Sequence, residues 1–228
     1  MLNTIPRVGL ILSLTLPLLA DEALKPPIQV IRTEDFDFAP GGTIRVDHSF
    51  GDLYVEAWDQ PQVEITVTKL LRFEPAHPER SSQRFEALRV MTEKRSPTEF
   101  MISMKPKNNV RLELQLRVPR DSKLAIHHGV GTVSLRDVKS DIQATCSRGD
   151  IVVWLADGGT YSIDARSRFG KVSSDFPGSS ISQFLVGQKF MSANSASAPK
   201  LFLRAGFGGI TIKPILPESE VPPSKETK

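Results

Sequence analysis

Short runs in which apolar and polar residues alternate recur along most of the chain, and most of them end at glycine, proline or a small polar residue. "VEITVTKLL", "EFMISMKP" and "RLELQLRVP" alternate in this way, as do the flanks of "HSFGDLYVEA", "HHGVGTVSLR", "CSRGDIVVWL", "SRFGKVSSDF" and "AGFGGITIKP". A period of two is the strand period, because successive side chains of a strand point to opposite faces. The five glycine-centred stretches are copies of one unit. Seven residues before Gly51, Gly131, Gly149, Gly170 and Gly208 stand Ile44, Leu124, Ile142, Ile163 and Leu201, and five before them stand Val46, Ile126, Ala144, Ala165 and Leu203. Two after them stand Leu53, Val133, Ile151, Val172 and Ile210, and four after them Val55, Leu135, Val153, Ser174 and Ile212, with Ser174 alone breaking the pattern.

Each copy therefore predicts a strand, a glycine corner and a second strand, with one face of both strands turned inward. A chain that corners within about three residues commonly needs a positive φ, which glycine adopts without a Cβ penalty. The corners fall 18, 21 and 38 residues apart from Gly131 through Gly149 and Gly170 to Gly208, which suggests a degenerate copy around "FLVGQKFMSANS" with Gly187 at its corner. A period near 20 predicts an all-β protein, a β-solenoid or flattened β-roll of roughly 20-residue coils with a β-rich N-terminal half; a β-sandwich is the alternative. Residues 26–120 form that N-terminal half, with a short helical insertion after Pro78 that places Phe85 and Leu88 on one face. Residues 121–214 form the regular stack. The tail 215–228, rich in Pro, Glu, Ser and Lys, reads as disordered.

The first twenty residues change the picture of where the protein works. Arg7 precedes an apolar run from Val8 to Leu19, and Ala20 is followed by Asp21 and Glu22. That run is shorter than the ~20 residues needed to span a bilayer, so residues 1–20 read as an export signal and the mature chain as having no transmembrane span. The expected location is periplasmic, outer-surface or secreted. Cys146 is the one cysteine, so stability is expected from burial and sheet hydrogen bonds and not from disulfides. Removing residues 1–20 takes one base from 29 and no acid from the first twenty, leaving 28 bases against 26 acids. With no basic block, nucleic acid is not an expected partner.

The order of "GDLYV", "WDQPQVEI", "LRVPRDSKLAIHHGVGTVSL" and the later "SRGDI" and "FGKV" units resembles the "putative adhesin" family of bacterial exported proteins, a domain of unknown function. The similarity covers most of residues 40–213. It implies a repetitive β architecture in the cell envelope or outside the cell, and it brings no catalytic or binding residues with it.

Four constellations could carry chemistry. The column three residues before each corner glycine reads His48, His128, Cys146, Ser167 and Ala205, so stacked copies would set His128 beside Cys146, a soft-metal pair. His48 belongs to a copy separated by the insertion, and the column continues with residues that do not ligate, so it reads as the lining of a corner; His127 faces the other way. Asp137, Asp141, Asp164 and Asp175, with Arg166 or Arg168, could line a carbohydrate groove, but three of these aspartates sit near turns where they cap backbone. Trp58 and Trp154 could be sugar platforms and are expected instead to close the ends of a core. Arg148-Gly149-Asp150 matches a receptor-binding tripeptide, yet its glycine is a corner glycine and its neighbours vary between copies. No catalytic, cofactor-binding or metal residue is assigned. The resulting expectation is an exported, non-enzymatic, adhesin-like β-repeat protein that contacts an unknown protein or glycan partner in the envelope. The alternatives are a carbohydrate-active hydrolase or lyase on a β-helical scaffold and a structural component of an envelope assembly.

Overall fold

The computed structural model describes residues 29–70, 90–104, 111–156, 158–183, 187–192 and 195–215. The expected export signal, the helix after Pro78 and the tail beyond residue 215 lie outside the described residues. Among those described, every regular element is a strand. The five glycine copies become β2 (Thr43–Phe50) and β3 (Asp52–Trp58), β8 (Lys123–Val130) and β9 (Val133–Arg136), β10 (Ile142–Arg148) and β11 (Ile151–Ala156), β12 (Ser162–Phe169) and β13 (Val172–Ser174), and β16 (Lys200–Phe207) and β17 (Ile210–Ile215). In each copy the first strand lies in one sheet and the second in another. The remaining strands are β1 (Gln29–Asp37), β4 (Gln62–Leu70), β5 (Met91–Ser96), β6 (Glu99–Met104), β7 (Arg111–Pro119), β14 (Ser179–Gln183) and β15 (Gly187–Met191).

One sheet runs β1-β4-β7-β3-β9-β11-β17-β13, and the other runs β14-β15-β12-β16-β10-β8-β2-β6-β5. The shared middle of both orders consists of parallel, in-register pairs, so six strand pairs form layers in the order β6/β7, β2/β3, β8/β9, β10/β11, β16/β17 and β12/β13. Antiparallel strands flank the middle: β4 and β1 beside β7, β5 beside β6, and β15 and β14 beside β12. The inward columns of both sheets merge into one core, in which Ile44, Leu53, Ile126, Leu135, Ile142, Ile151 and Leu155 are fully buried.

The all-β reading holds, and two mixed, unclosed sheets around one core fit the sandwich-like alternative. A solenoid that stacks each copy on the one before is not what the chain builds. The last copy enters between the third and the fourth, because β16 pairs with both β10 and β12. Among the described residues, the long interval before Gly208 holds no degenerate coil. It holds the β14–β15 hairpin, which pairs antiparallel with β12, and Gly187 opens β15 without turning a corner. A sixth layer, β6/β7, has no glycine signature at all.

The corner glycines show why no other residue serves. Gly131 has φ +133°, and its N–H donates to the Arg148 carbonyl at 2.9 Å, so the ladder between layers continues through the corner. A Cβ on Gly131 would stand 1.8 Å from the carbonyl oxygen of Gly51 in the adjoining layer. The same contact repeats up the stack, with a Cβ on Gly149 2.0 Å from the Gly131 oxygen and one on Gly208 2.1 Å from the Gly149 oxygen. At Gly51, Gly131, Gly149 and Gly208 glycine is needed for its positive φ and for the room its missing side chain gives the neighbouring carbonyl; Gly170 turns its corner without a positive φ, and there only the room counts, with a Cβ 2.1 Å from the Gly208 oxygen.

Two aspartates that follow corner glycines bind the layers together. Asp52 Oδ1 accepts from the Thr132 N–H at 2.9 Å, and Asp150 Oδ1 accepts from the Gly209 N–H at 2.6 Å. Each carboxylate thus satisfies a corner amide of the next layer. Hydrogen bonds to charged acceptors are worth about 1.5–3 kcal/mol, with exposed groups below that range. Asp52→Ala, with Asp52 buried, is expected to cost about 2 kcal/mol, and Asp150→Ala, exposed, about 1 kcal/mol. Urea denaturation of both variants checks the order, and a larger loss for Asp150→Ala would refute it.

Candidate functional site

The column three residues before the corners points inward from the second sheet, in the spatial order His48, His128, Cys146, Ala205 and Ser167, with Met104 of β6 as the register partner of His48. His128 and Cys146 are register partners, as their spacing suggests. The intervening chain does not separate His48 from them, because β2 pairs directly with β8, and β6 pairs with β2 on its other side. The His48 and His128 Nδ1 atoms lie 3.1 Å apart, with ring centroids at 5.0 Å. Both rings are buried, and neither Nε2 meets a partner in hydrogen-bonding geometry. Burial, and then the charge of His128, pull the His48 pKa down to about 4, with Asp52 opposing. Burial lowers His128 too, against Asp52 and the nearby carbonyls of Gly51, Gly131 and Val130.

Further along the column, Cys146 Sγ donates to the Gly131 carbonyl at 3.5 Å and Ser167 Oγ to that of Gly208 at 2.7 Å. Burial raises the Cys146 thiol to about 11, so it stays protonated and unreactive at neutral pH. Among the described residues no group of three or more His, Cys, Asp or Glu side chains is arranged to hold a metal ion.

The aspartates are not brought together. Asp137, which has a positive φ of 58°, forms an ion pair with Arg120, which also grips Asp59 at 2.6 Å. Asp141 Oδ1 accepts from the Lys200 N–H at 2.9 Å, joining layers at the start of their strands, and Asp175 follows β13. Asp164 lies elsewhere, on the outer face of the second sheet. Both tryptophans are half-buried on outer faces and close no core, because each has the parity of the outward column in its strand. Trp58 Nε1 donates to the Gln62 carbonyl at 2.9 Å, with the Arg117 guanidinium over its ring. Arg148-Gly149-Asp150 forms the third corner: Gly149 carries φ +129° and Asp150 is tied to Gly209.

On the outer face of the second sheet, next to the corners, β10, β16 and β12 enclose a cleft of about 500 Å³ lined by Thr145, Ser147, Arg204, Gly206, Arg166, Arg168 and Phe207. Arg204 is pinned there. Its Nη2 lies 3.0 Å from Asp164 Oδ2, its Nη1 donates to the Asp164 carbonyl at 2.8 Å, and its Cζ sits 3.4 Å from the Phe202 ring centroid. Arg166 is Arg204's register partner and has Lys189 as its partner on the other side. Arg166 and Arg168 are exposed and form no ion pair among the described residues. A second cleft of about 240 Å³ shares Thr145 and Ser147 and continues over β8 to β2, past His127, Gly129, Asp47 and Ser49.

The corner edge itself is apolar. Phe50, Val130, Phe169 and Phe207, each just before a corner glycine, are 44, 38, 42 and 54% exposed, and the Phe169 and Phe207 rings stack at 4.7 Å. Arg148 interrupts the row between Val130 and Phe207. On the first sheet the outer-face charges are matched instead: Arg117 lies 3.2 Å from Glu64 and 4.0 Å from Glu56.

This fold is shared with a solved bacterial structure. A "putative cell adhesion protein" from Clostridium sporogenes aligns with a TM-score of 0.52 at 15% identity, over 83% of this chain and all of that one. A "putative adhesin" from Bacteroides fragilis aligns at 10% identity over 82% of this chain and 97% of that one, with a TM-score of 0.33. The resemblance carried by the glycine units thus holds at the level of the fold. No protein-family model matches the chain, and no curated protein matches it.

Proposed function

We propose that the protein is an exported, adhesin-like binding module without enzymatic activity, whose contact surface is the corner edge and the outer face of the second sheet beside it. The juxtaposition of an exposed phenylalanine row with an arginine-lined cleft supports this reading. Aromatic side chains and arginine are the groups most enriched at the centres of contact surfaces, and contiguous exposed apolar groups on a soluble protein mark contact sites. The described name of the Clostridium protein points the same way. The expected location is the cell envelope or its exterior, reached through residues 1–20; no helix among the described residues is long and apolar enough to cross a membrane.

The test is retention of bacterial envelope vesicles by a surface bearing the full chain. The wild type should hold them well above a bare surface. Phe169→Ser/Phe207→Ser, which alters exposed positions, should hold several-fold fewer while melting within a few degrees of the wild type. Equal retention by the wild type and the bare surface, or by a folded double variant and the wild type, would refute the proposal.

A further inference from the structure

The two clefts on the outer face of the second sheet adjoin at Thr145 and Ser147, and together they make a trough that crosses five strands, β2, β8, β10, β16 and β12. Its floor follows the column two residues before the corners, which reads Ser49, Gly129, Ser147, Gly206 and Arg168. That floor is low because the layers lie close: a Cβ on Gly129 would stand 2.2 Å from the Ser49 carbonyl oxygen, and one on Gly206 2.5 Å from that of Ser147. At a strand spacing of about 4.8 Å, five strands span about 19 Å. One strand step is close to the length that one pyranose ring adds to an extended sugar chain.

We propose that this trough binds an acidic polysaccharide, whose carboxylate or sulfate groups are taken by Arg166, Arg168 and Arg204 at its β12 end. The proposal deepens the adhesin-like reading and rests on it. Among the described residues the charge is one-sided there: Arg166, Arg168, Arg204 and the neighbouring Lys189 face the carboxylate of Asp164, which Arg204 already engages. Guanidinium groups offer paired donors that match carboxylate and sulfate oxygens, and the Asp164 contact together with Phe202 holds the Arg204 fork in place before a ligand arrives. The hydroxyls of Thr145 and Ser147 between the arginines and His127 can serve sugar hydroxyls, and Phe207 at the rim presents an apolar face.

The sheet interior disfavours a peptide. β10, β16 and β12 are each paired on both sides, so no free strand edge is available for an added strand, the usual source of main-chain affinity for an extended peptide. A sugar chain needs no such edge. The basic end is also confined to four side chains of a nearly neutral protein, a scale suited to a few anionic groups and too small for a nucleic acid duplex.

Binding of the full chain to polygalacturonate, dextran sulfate, neutral dextran and polyglutamate, each followed by calorimetry at low and at 0.5 M salt, tests the proposal. At least one of the two charged polysaccharides should bind, neutral dextran should not, and polyglutamate should bind at least tenfold more weakly. Arg166→Gln/Arg168→Gln should weaken polysaccharide binding at least tenfold with an unchanged melting temperature, and high salt should weaken the wild type similarly. Wild-type binding that the double variant keeps, equal binding of polyglutamate, or no binding of either charged polysaccharide would overturn it. Vesicle retention measured alongside separates the two proposals. Retention with no polysaccharide binding sinks the ligand class alone, whereas loss of retention by the wild type sinks the adhesin-like reading.

Discussion

A single methyl group at Gly131 is expected to cost about 4 kcal/mol, a large share of the roughly 5–15 kcal/mol that holds a domain folded. Two costs add in Gly131→Ala. The backbone sits at φ +133°, where an L side chain is strained by about 1–3 kcal/mol. The new Cβ would also lie 1.8 Å from the Gly51 carbonyl oxygen and 2.6 Å from its carbon, and overpacking of this kind costs about another 1–3 kcal/mol. Neither atom can retreat cheaply. Gly51 donates to the Val130 carbonyl at 2.9 Å and Gly131 to that of Arg148 at 2.9 Å, so parting the two layers stretches the ladder on both sides of the corner. Gly158→Ala is the control: φ is +68° there and nothing lies within 4 Å of an added Cβ, so only the conformational cost of about 1–2 kcal/mol applies. Urea unfolding of the two variants with unchanged m-values measures the difference. Equal losses would show that strain alone, and not the neighbouring layer, makes the corner require glycine.

The corner glycines and the inward columns beside them were legible in the sequence because period two and the need for a positive φ leave marks on residue type. Ile44, Leu124, Ile142 and Leu201 are all buried, as their shared column requires. Layer order left no such mark. Every copy offers its neighbours the same in-register edge and a similar apolar column, so nothing local tells β10 to accept β16 in preference to β12. What distinguishes β12 is the β14–β15 hairpin on its far side, a feature of the 38-residue interval that a search for glycine corners passes over. The β6/β7 layer escaped for a related reason: its alternation reads as strands, but without a corner glycine it does not read as a copy.

The same gap in layer order hid the candidate site. Arg166, Arg168 and Arg204 were visibly outward by parity, yet only the insertion of β16 beside β12 makes Arg166 and Arg204 neighbours. His48 and His128 shared a column on the page, and the 80 residues between them argued wrongly for separation. The parity that turns Trp58 and Trp154 outward was also readable, and their size argued wrongly for the core.

Acid should weaken the fold through the paired imidazoles, and most of the loss is expected between pH 6.5 and 4. His48 is fully buried, with a pKa of about 4 in the folded protein against an ordinary 6.5. A folded-state pKa below the unfolded one means that the unfolded chain binds the proton first. The stabilisation is therefore fully present above pH 6.5 and drains away as pH falls towards 4, by about 3 kcal/mol from His48 alone at 1.36 kcal/mol per unit. His128, lowered by the same burial, adds in the same direction. The geometry is consistent with this sign. Nδ1 atoms 3.1 Å apart make a good hydrogen bond when one ring donates and the other accepts, whereas a second proton would set two N–H groups against each other. Urea unfolding from pH 7.5 to 4.5 should show the wild type losing about 3 kcal/mol more than His48→Leu/His128→Leu, which leaves the surface carboxylates untouched. Parallel curves for the two proteins would refute the pairing. Should the double variant fail to fold, the wild type alone still decides the matter: the His48 imidazole must remain neutral at pH 5.5 by NMR titration, and its protonation at that pH in the folded state would refute the pairing.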